Sequence, residues 1–85
     1  MSARIWVLGW HRTGTGFTRV LERLVAHFAE SAPVLWFGVG DDGPPRRLGP
    51  NVELQPVLSG RGDPVGAYMA RERLRHERPC WIFCL

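Results

Sequence analysis

Three runs of apolar residues without polar interruption constrain this chain more than anything else in it: Ile5-Trp6-Val7-Leu8, Val34-Leu35-Trp36-Phe37-Gly38-Val39 and Cys80-Trp81-Ile82-Phe83-Cys84-Leu85. Alternation of apolar and polar residues marks a strand with one wet face; an unbroken run marks a strand covered on both. The runs are too short for helices, and far short of the ~20 apolar residues a membrane span needs. Strands covered twice require a layer on each side of their sheet. Eighty-five residues can supply that only with a dense core, since a chain of this size buries ~60–65% of the surface its unfolded form exposes.

The segments between the runs supply candidate layers. Phe17, Val20, Leu21, Leu24, Val25 and Phe28 recur at helical spacing within an arc of ~140°, with Arg19, Glu22, Arg23 and Ala26 opposite. Ser31-Ala32-Pro33 ends that helix. The stretch from Gly40 to Pro50, dense in Gly, Pro and Asp, reads as loop throughout. Val52-Glu53-Leu54-Gln55 alternates, giving a strand wet on one face, and Pro56 removes a ladder donor and assigns it to a sheet edge. Asp63-Pro64 reads as an N-cap and first helical position, and the second helix runs to about Glu77 with Val65, Tyr68, Met69, Ala70 and Leu74 as an untidy apolar face.

The order strand, helix, strand, strand, helix, strand predicts an α/β fold: a Rossmann-like half-sheet of mainly parallel strands in the order 3-2-1-4, with helices on both faces. Its last strand would stand at an unprotected edge, so residues 1–85 are expected to be the truncated front of a longer fold. Cys80 and Cys84 share a strand, too far apart for a disulfide, and read as buried free thiols.

Such sheets take ligands beyond the carboxyl ends of their strands, which directs attention to the loop after the first strand. There Gly14-Thr15-Gly16 precedes the first helix, and glycines let backbone N–H groups approach an anion at the helix's positive end. A tight turn is the alternative use of the same residues. His11 is the one histidine at that end of the sheet, suited to a sugar hydroxyl or to proton transfer; His27 and His76 read as structural. A P-loop is excluded, because Thr15-Gly16 stands where Lys-Ser/Thr is required and all eleven basic residues are arginine. The dinucleotide pattern starts with Gly14 and Gly16 but meets Arg19 at its third glycine; Asp41 or Asp42 could serve as its ribose-binding acid. An NAD(P)-dependent oxidoreductase fragment is thus the alternative reading. Net charge +3 permits anionic partners without naming one, and the Arg71, Arg75, Arg78 stripe reads as a solvated face. No metal-ligand spacing is present. Met1-Ser2-Ala3-Arg4 enters the first strand with no secretory pattern, so a cytoplasmic location is expected.

The strings R-I-W-V-L-G-W-H-R-T-G-T-G-F-T-R-V-L, V-L-W-F-G-V-G, G-R-G-D-P-V-G-A-Y and R-P-C-W-I-F-C-L together resemble the start of the group 1 retaining glycosyltransferases, which have the two-domain GT-B fold. The most specific part is G-W-H-x-x-G-T-G-F; Cys80 departs from the acidic residue often found after Arg-Pro there. The resemblance implies that residues 1–85 are a partial N-terminal, acceptor-side domain, inactive without its second domain. It implies a sugar-nucleotide co-substrate, an acceptor, retention at the anomeric carbon, no metal or other cofactor and no nucleic acid, with peripheral contact at the inner membrane face permitted. Gly14 and Gly16 match the family's loop glycines, and His11 and Thr15 lie where substrate contact is implied.

Overall fold

Among the described elements the central strand, Val34–Val39, is the only one whose residues are all buried, and the sheet is arranged around it. The computed structural model describes residues 3–11, 16–41, 43–57 and 67–84 (backbone alone at 17). Its elements are β1 (Ile5–Trp10), α1 (Gly16–Ala29), β2 (Val34–Val39), β3 (Arg46–Gly49), β4 (Val52–Val57), α2 (Ala67–Arg73) and β5 (Trp81–Cys84). The strands form one five-stranded sheet in the order β3-β4-β2-β1-β5. β1 pairs in parallel with β2 and β5, β2 in parallel with β4, and β3 runs antiparallel to β4.

This overturns the expected Rossmann-like half-sheet of four mainly parallel strands in the order 3-2-1-4. The sheet is mixed, and the added strand comes from the stretch read entirely as loop. Arg46-Arg47-Leu48-Gly49 has no apolar run or alternation to announce it. It is extended because β4 offers a free edge, with Arg46 opposite Leu54 and Arg47 opposite Glu53. β4 is therefore interior, despite Pro56. Val34 and Gly40 donate to the carbonyls of Asn51 and Val57, so the odd-numbered residues of β4 turn their hydrogen-bonding groups towards β2. The missing N–H of Pro56 then falls on the β3 side, beyond the last paired residue Leu54, where no ladder bond is required.

Each face of the sheet carries its own core. On one, Val7, Val34, Trp36, Val52 and Leu54 meet Leu21 and Val25 of α1. On the other, Trp6, Leu8, Leu35, Phe37, Val39 and Val57 meet Ala70 of α2. Trp6 and Phe37 touch edge to face, 5.2 Å between centroids, a pairing worth ~0.5–1.5 kcal/mol beyond burial alone. A Cβ on Gly9 would lie 2.5 Å from Leu21 Cδ1, so glycine there lets α1 sit close to β1. The cover thins towards β5. Tyr68, Met69 and Leu74 of the second helical segment are exposed, as are Trp81 and Ile82. The expected double burial of the last strand does not occur, and Cys80 and Cys84 are exposed free thiols rather than buried ones. α2 begins at Ala67; the expected cap at Asp63-Pro64 and Val65 lie outside the described residues. No described helix is long and apolar enough to cross a membrane.

A polar clamp closes the amino end of the sheet. Arg4 Nε donates to Glu77 Oε2 at 2.7 Å, Arg4 Nη1 to Glu53 Oε2 at 3.0 Å and Trp6 Nε1 to Glu77 Oε2 at 3.0 Å; Arg4 Nη2 also bonds Glu77 Oε1. The approach to β5 is thereby tied to both β1 and β4. Hydrogen bonding from Arg4 holds the Glu77 carboxyl down at about 2, against partial burial.

Glu77 is charged in the folded chain at pH values where the unfolded chain has already protonated it. Its contribution is therefore complete above about pH 4.5 and lost as pH falls towards about 2. Thermal melts across that window should show the loss, and Glu77→Gln should remove on the order of 3 kcal/mol at pH 7 together with much of the acid dependence. Equal acid sensitivity in the variant would contradict the assignment. A second expectation concerns β5. Cys80 N–H donates to Arg4 O, so strand alternation turns the backbone groups of Trp81 and Phe83 to the open edge. Sedimentation velocity should show concentration-dependent association that Ile82→Lys reduces.

Candidate functional site

His11 follows β1, Asp41 follows β2, and Arg46 opens β3, which runs antiparallel to β4; all three therefore meet at the carboxyl end of the parallel strands. The backbone brings them there. His11 N–H donates to Val39 O at 3.0 Å, extending the β1–β2 ladder by one bond, and Asp41 N–H reaches back to Gly38 O. Gly38 makes the crossing feasible: a Cβ there would lie 2.7 Å from both His11 Cβ and Leu54 Cδ1. A glycine inside a buried apolar strand is a known sign of such close approach. The His11 ring stands edge-on to Trp36, 4.7 Å between centroids, and Trp36 Nε1 donates to Gly9 O at 3.3 Å.

Asp41 organises the cluster. Its Oδ2 takes Arg46 Nη2 and His11 Nδ1, each at 2.7 Å; its Oδ1 takes Gly43 N–H at 2.8 Å and Arg46 Nη1 at 3.2 Å. The Arg46 bonds, helped by Gly43 N–H and His11, hold the Asp41 carboxyl far below the usual carboxylate range despite its burial. The same bonds raise the Arg46 guanidinium. An ionised carboxylate only accepts, so His11 Nδ1 must carry its proton and donate it to Asp41. In neutral imidazole this leaves Nε2 as an acceptor, and no described residue bonds it. The arrangement can receive a hydroxyl proton or orient a hydroxyl, with the ring fixed by Asp41, Trp36 and the backbone.

The helix terminus beside this cluster is held to the same strand end, because Thr18 Oγ1 donates to Trp10 O at 3.4 Å. Gly16 opens α1, exposed. Its φ is not positive and an added Cβ would meet nothing within 4 Å, so neither backbone geometry nor packing among the described residues demands glycine there. Gly14 and Thr15, the other two expected contact residues, lie outside the described residues, as does Asp42. Of the expected site residues, the structure thus places His11 and Gly16 at one end of the sheet. His27 and His76 are exposed and belong to no such cluster. Among the described residues no group of three or more His, Cys, Asp or Glu side chains could hold a metal.

Asp41 was legible only as a candidate ribose acid, and Arg46 not at all. Gly38, the single small residue within β2, was the available signal that a side chain crosses the strand there. The comparisons with known proteins assign nothing: no protein-family profile, curated protein or solved structure matches the chain.

Asp41→Asn should break the His11 alignment. Imidazole ¹⁵N shifts at neutral to high pH should report the Nδ1–H tautomer in the native chain and a mixture with Nε2–H in the variant. A loss of stability of about 2 kcal/mol is expected from the charged hydrogen bonds removed. An unchanged tautomer would show that Asp41 does not position His11.

Proposed function

We propose that this chain is the acceptor-side part of a sugar-nucleotide-dependent glycosyltransferase of the retaining, group 1 type, transferring a sugar to an acceptor hydroxyl. The observation that carries the reading is a glycine at α1's start that the described structure does not otherwise require, at the same end of the sheet as a histidine whose ring is fixed by a carboxylate and whose Nε2 has no partner among the described residues. The string G-W-H-x-x-G-T-G-F, which resembles the family's loop, contains both residues. In this reading backbone N–H groups from Gly14 to Gly16 approach the diphosphate at the positive helix end, aided by the helix dipole at ~0.3–1 kcal/mol. His11 Nε2 takes a sugar or acceptor hydroxyl. A second domain contributes most of the nucleotide pocket, and the reaction proceeds in the cytoplasm, with acceptors at the inner membrane face included.

The dinucleotide alternative is disfavoured by one feature. Both oxygens of Asp41, a candidate ribose acid, are engaged by Arg46, His11 and Gly43.

Titration of the ¹⁵N-labelled chain with UDP-glucose, GDP-mannose and NAD⁺ separates the two readings. The expected result is saturable shifts at Gly16 and His11 with at least one sugar nucleotide and none with NAD⁺. Gly16→Ala should keep or raise the melting temperature, since alanine favours helix by up to ~1 kcal/mol over glycine, while weakening that binding. Shifts with NAD⁺ alone, or none with any nucleotide, would defeat the proposal.

A further inference from the structure

Helix α1 covers the sheet over β1 and β2 and leaves the β4–β3 flank of the same face partly open. A pocket of about 330 Å³ lies there, lined by His11, Glu22, Val25, Trp36, Leu48 and Val52. That volume falls at the lower end of the ~300–1,000 Å³ typical of small-molecule sites. Its floor and walls are apolar: Trp36, Val25 and Val52 are buried parts of the core, and Leu48 stands on β3 as an exposed outer wall. The two polar residues differ in kind. Glu22 is an exposed carboxylate with no partner among the described residues; His11 has Nδ1 committed to Asp41 and Nε2 uncommitted. The Glu22 carboxylate accepts hydrogen bonds, as does Nε2 in the neutral form of the His11 ring, and Trp36 Nε1, the nearby donor, is already bonded to Gly9 O.

We propose that this pocket binds a neutral ring compound with an apolar face and hydroxyl groups at its edge, the ring lying among Trp36, Val25 and Leu48 and a hydroxyl donating to His11 Nε2. Acceptors on the polar rim select for donors, and the Glu22 carboxylate disfavours anions. The site shares His11 with the sugar-nucleotide reading but does not depend on it, because its floor and walls belong to the α1-side core and β3 rather than to the glycine loop.

The test uses phenol, toluene and benzoate as probes of the ¹⁵N-labelled chain. Phenol should bind saturably with shifts at Val25, Leu48 and Val52. Toluene, which lacks the hydroxyl, should bind about five-fold more weakly, the factor expected of one hydrogen bond. Benzoate should bind more weakly than phenol, and Glu22→Gln should narrow that gap. Ala26 lies exposed on the helix and lines the same pocket, so Ala26→Leu should fill it and abolish phenol binding with the fold intact by amide spectrum. His11→Phe, which keeps a ring and removes the acceptor, tests the hydroxyl contact: phenol should fall to the level of toluene. Equal binding of phenol and toluene to the native chain would overturn the proposal. So would phenol binding that survives Ala26→Leu, shifts confined to the aromatic hollow of Ile5, Phe28, Trp81 and Phe83, or no saturable binding at all.

Discussion

Strand β2 has to be covered on two sides, and most of the molecule follows from that requirement. Leu35, Phe37 and Val39 face one layer while Val34 and Trp36 face the other, all of them buried. Each such side chain removed from water contributes ~1.5–3 kcal/mol, and five of them lie on this one strand. Covering β2 laterally recruits β1 and β4 in parallel register, and covering it above and below recruits α1 and α2. β4 in turn leaves an edge that β3 fills, and β3 begins with the arginine that fixes Asp41. The candidate site is thus a consequence of how β2 is covered, several steps removed.

The two ends of the sheet use charge differently. At the amino end Arg4 is satisfied by Glu53 and Glu77, which also accepts from Trp6, so that the cluster binds sheet, loop and strand together and closes on itself. At the carboxyl end the Asp41–Arg46 pair satisfies itself and passes one hydrogen bond on to His11, whose second nitrogen has no partner among the described residues. A saturated cluster stabilises; a cluster with one aligned, unspent acceptor can also bind. Gly38 links the second cluster to the core, because any side chain there would press on His11 and Leu54 together.

Burial pattern and helical period were readable from the residues for β1, α1 and β2, since each carries its signal within a few positions of chain, although Val20, at apolar spacing in α1, is exposed. β3 was not readable: Arg46-Arg47-Leu48-Gly49 has neither alternation nor an apolar run, and becomes a strand only because Val52–Leu54 lies alongside. Pro56 misled for a related reason. A proline excludes a ladder bond on one side only, and which side is decided by a neighbouring strand and by where that neighbour stops. The last run was read as doubly covered because Trp81, Ile82 and Phe83 are apolar, yet composition does not state whether a layer reaches them; here α1 reaches Phe83 through Phe28, while Trp81 stays 73% exposed. His11 could be singled out as a candidate from its place after the first strand. Its partner Asp41 lies thirty residues away, and Arg46 in a segment that looked like loop.

By itself, then, the amino-acid sequence determined which segments must be covered, where α1 forms and which end of the sheet would carry a histidine beside glycines. Those properties depend on side-chain type and local spacing. Only the tertiary structure decided that β4 is interior, that Trp81 and Ile82 of β5 stay uncovered, and that Asp41 and Arg46 hold His11 in one tautomer. Each of these is a property of pairs of distant residues: hydrogen-bond direction, edge exposure and side-chain contact exist only once the strands have neighbours.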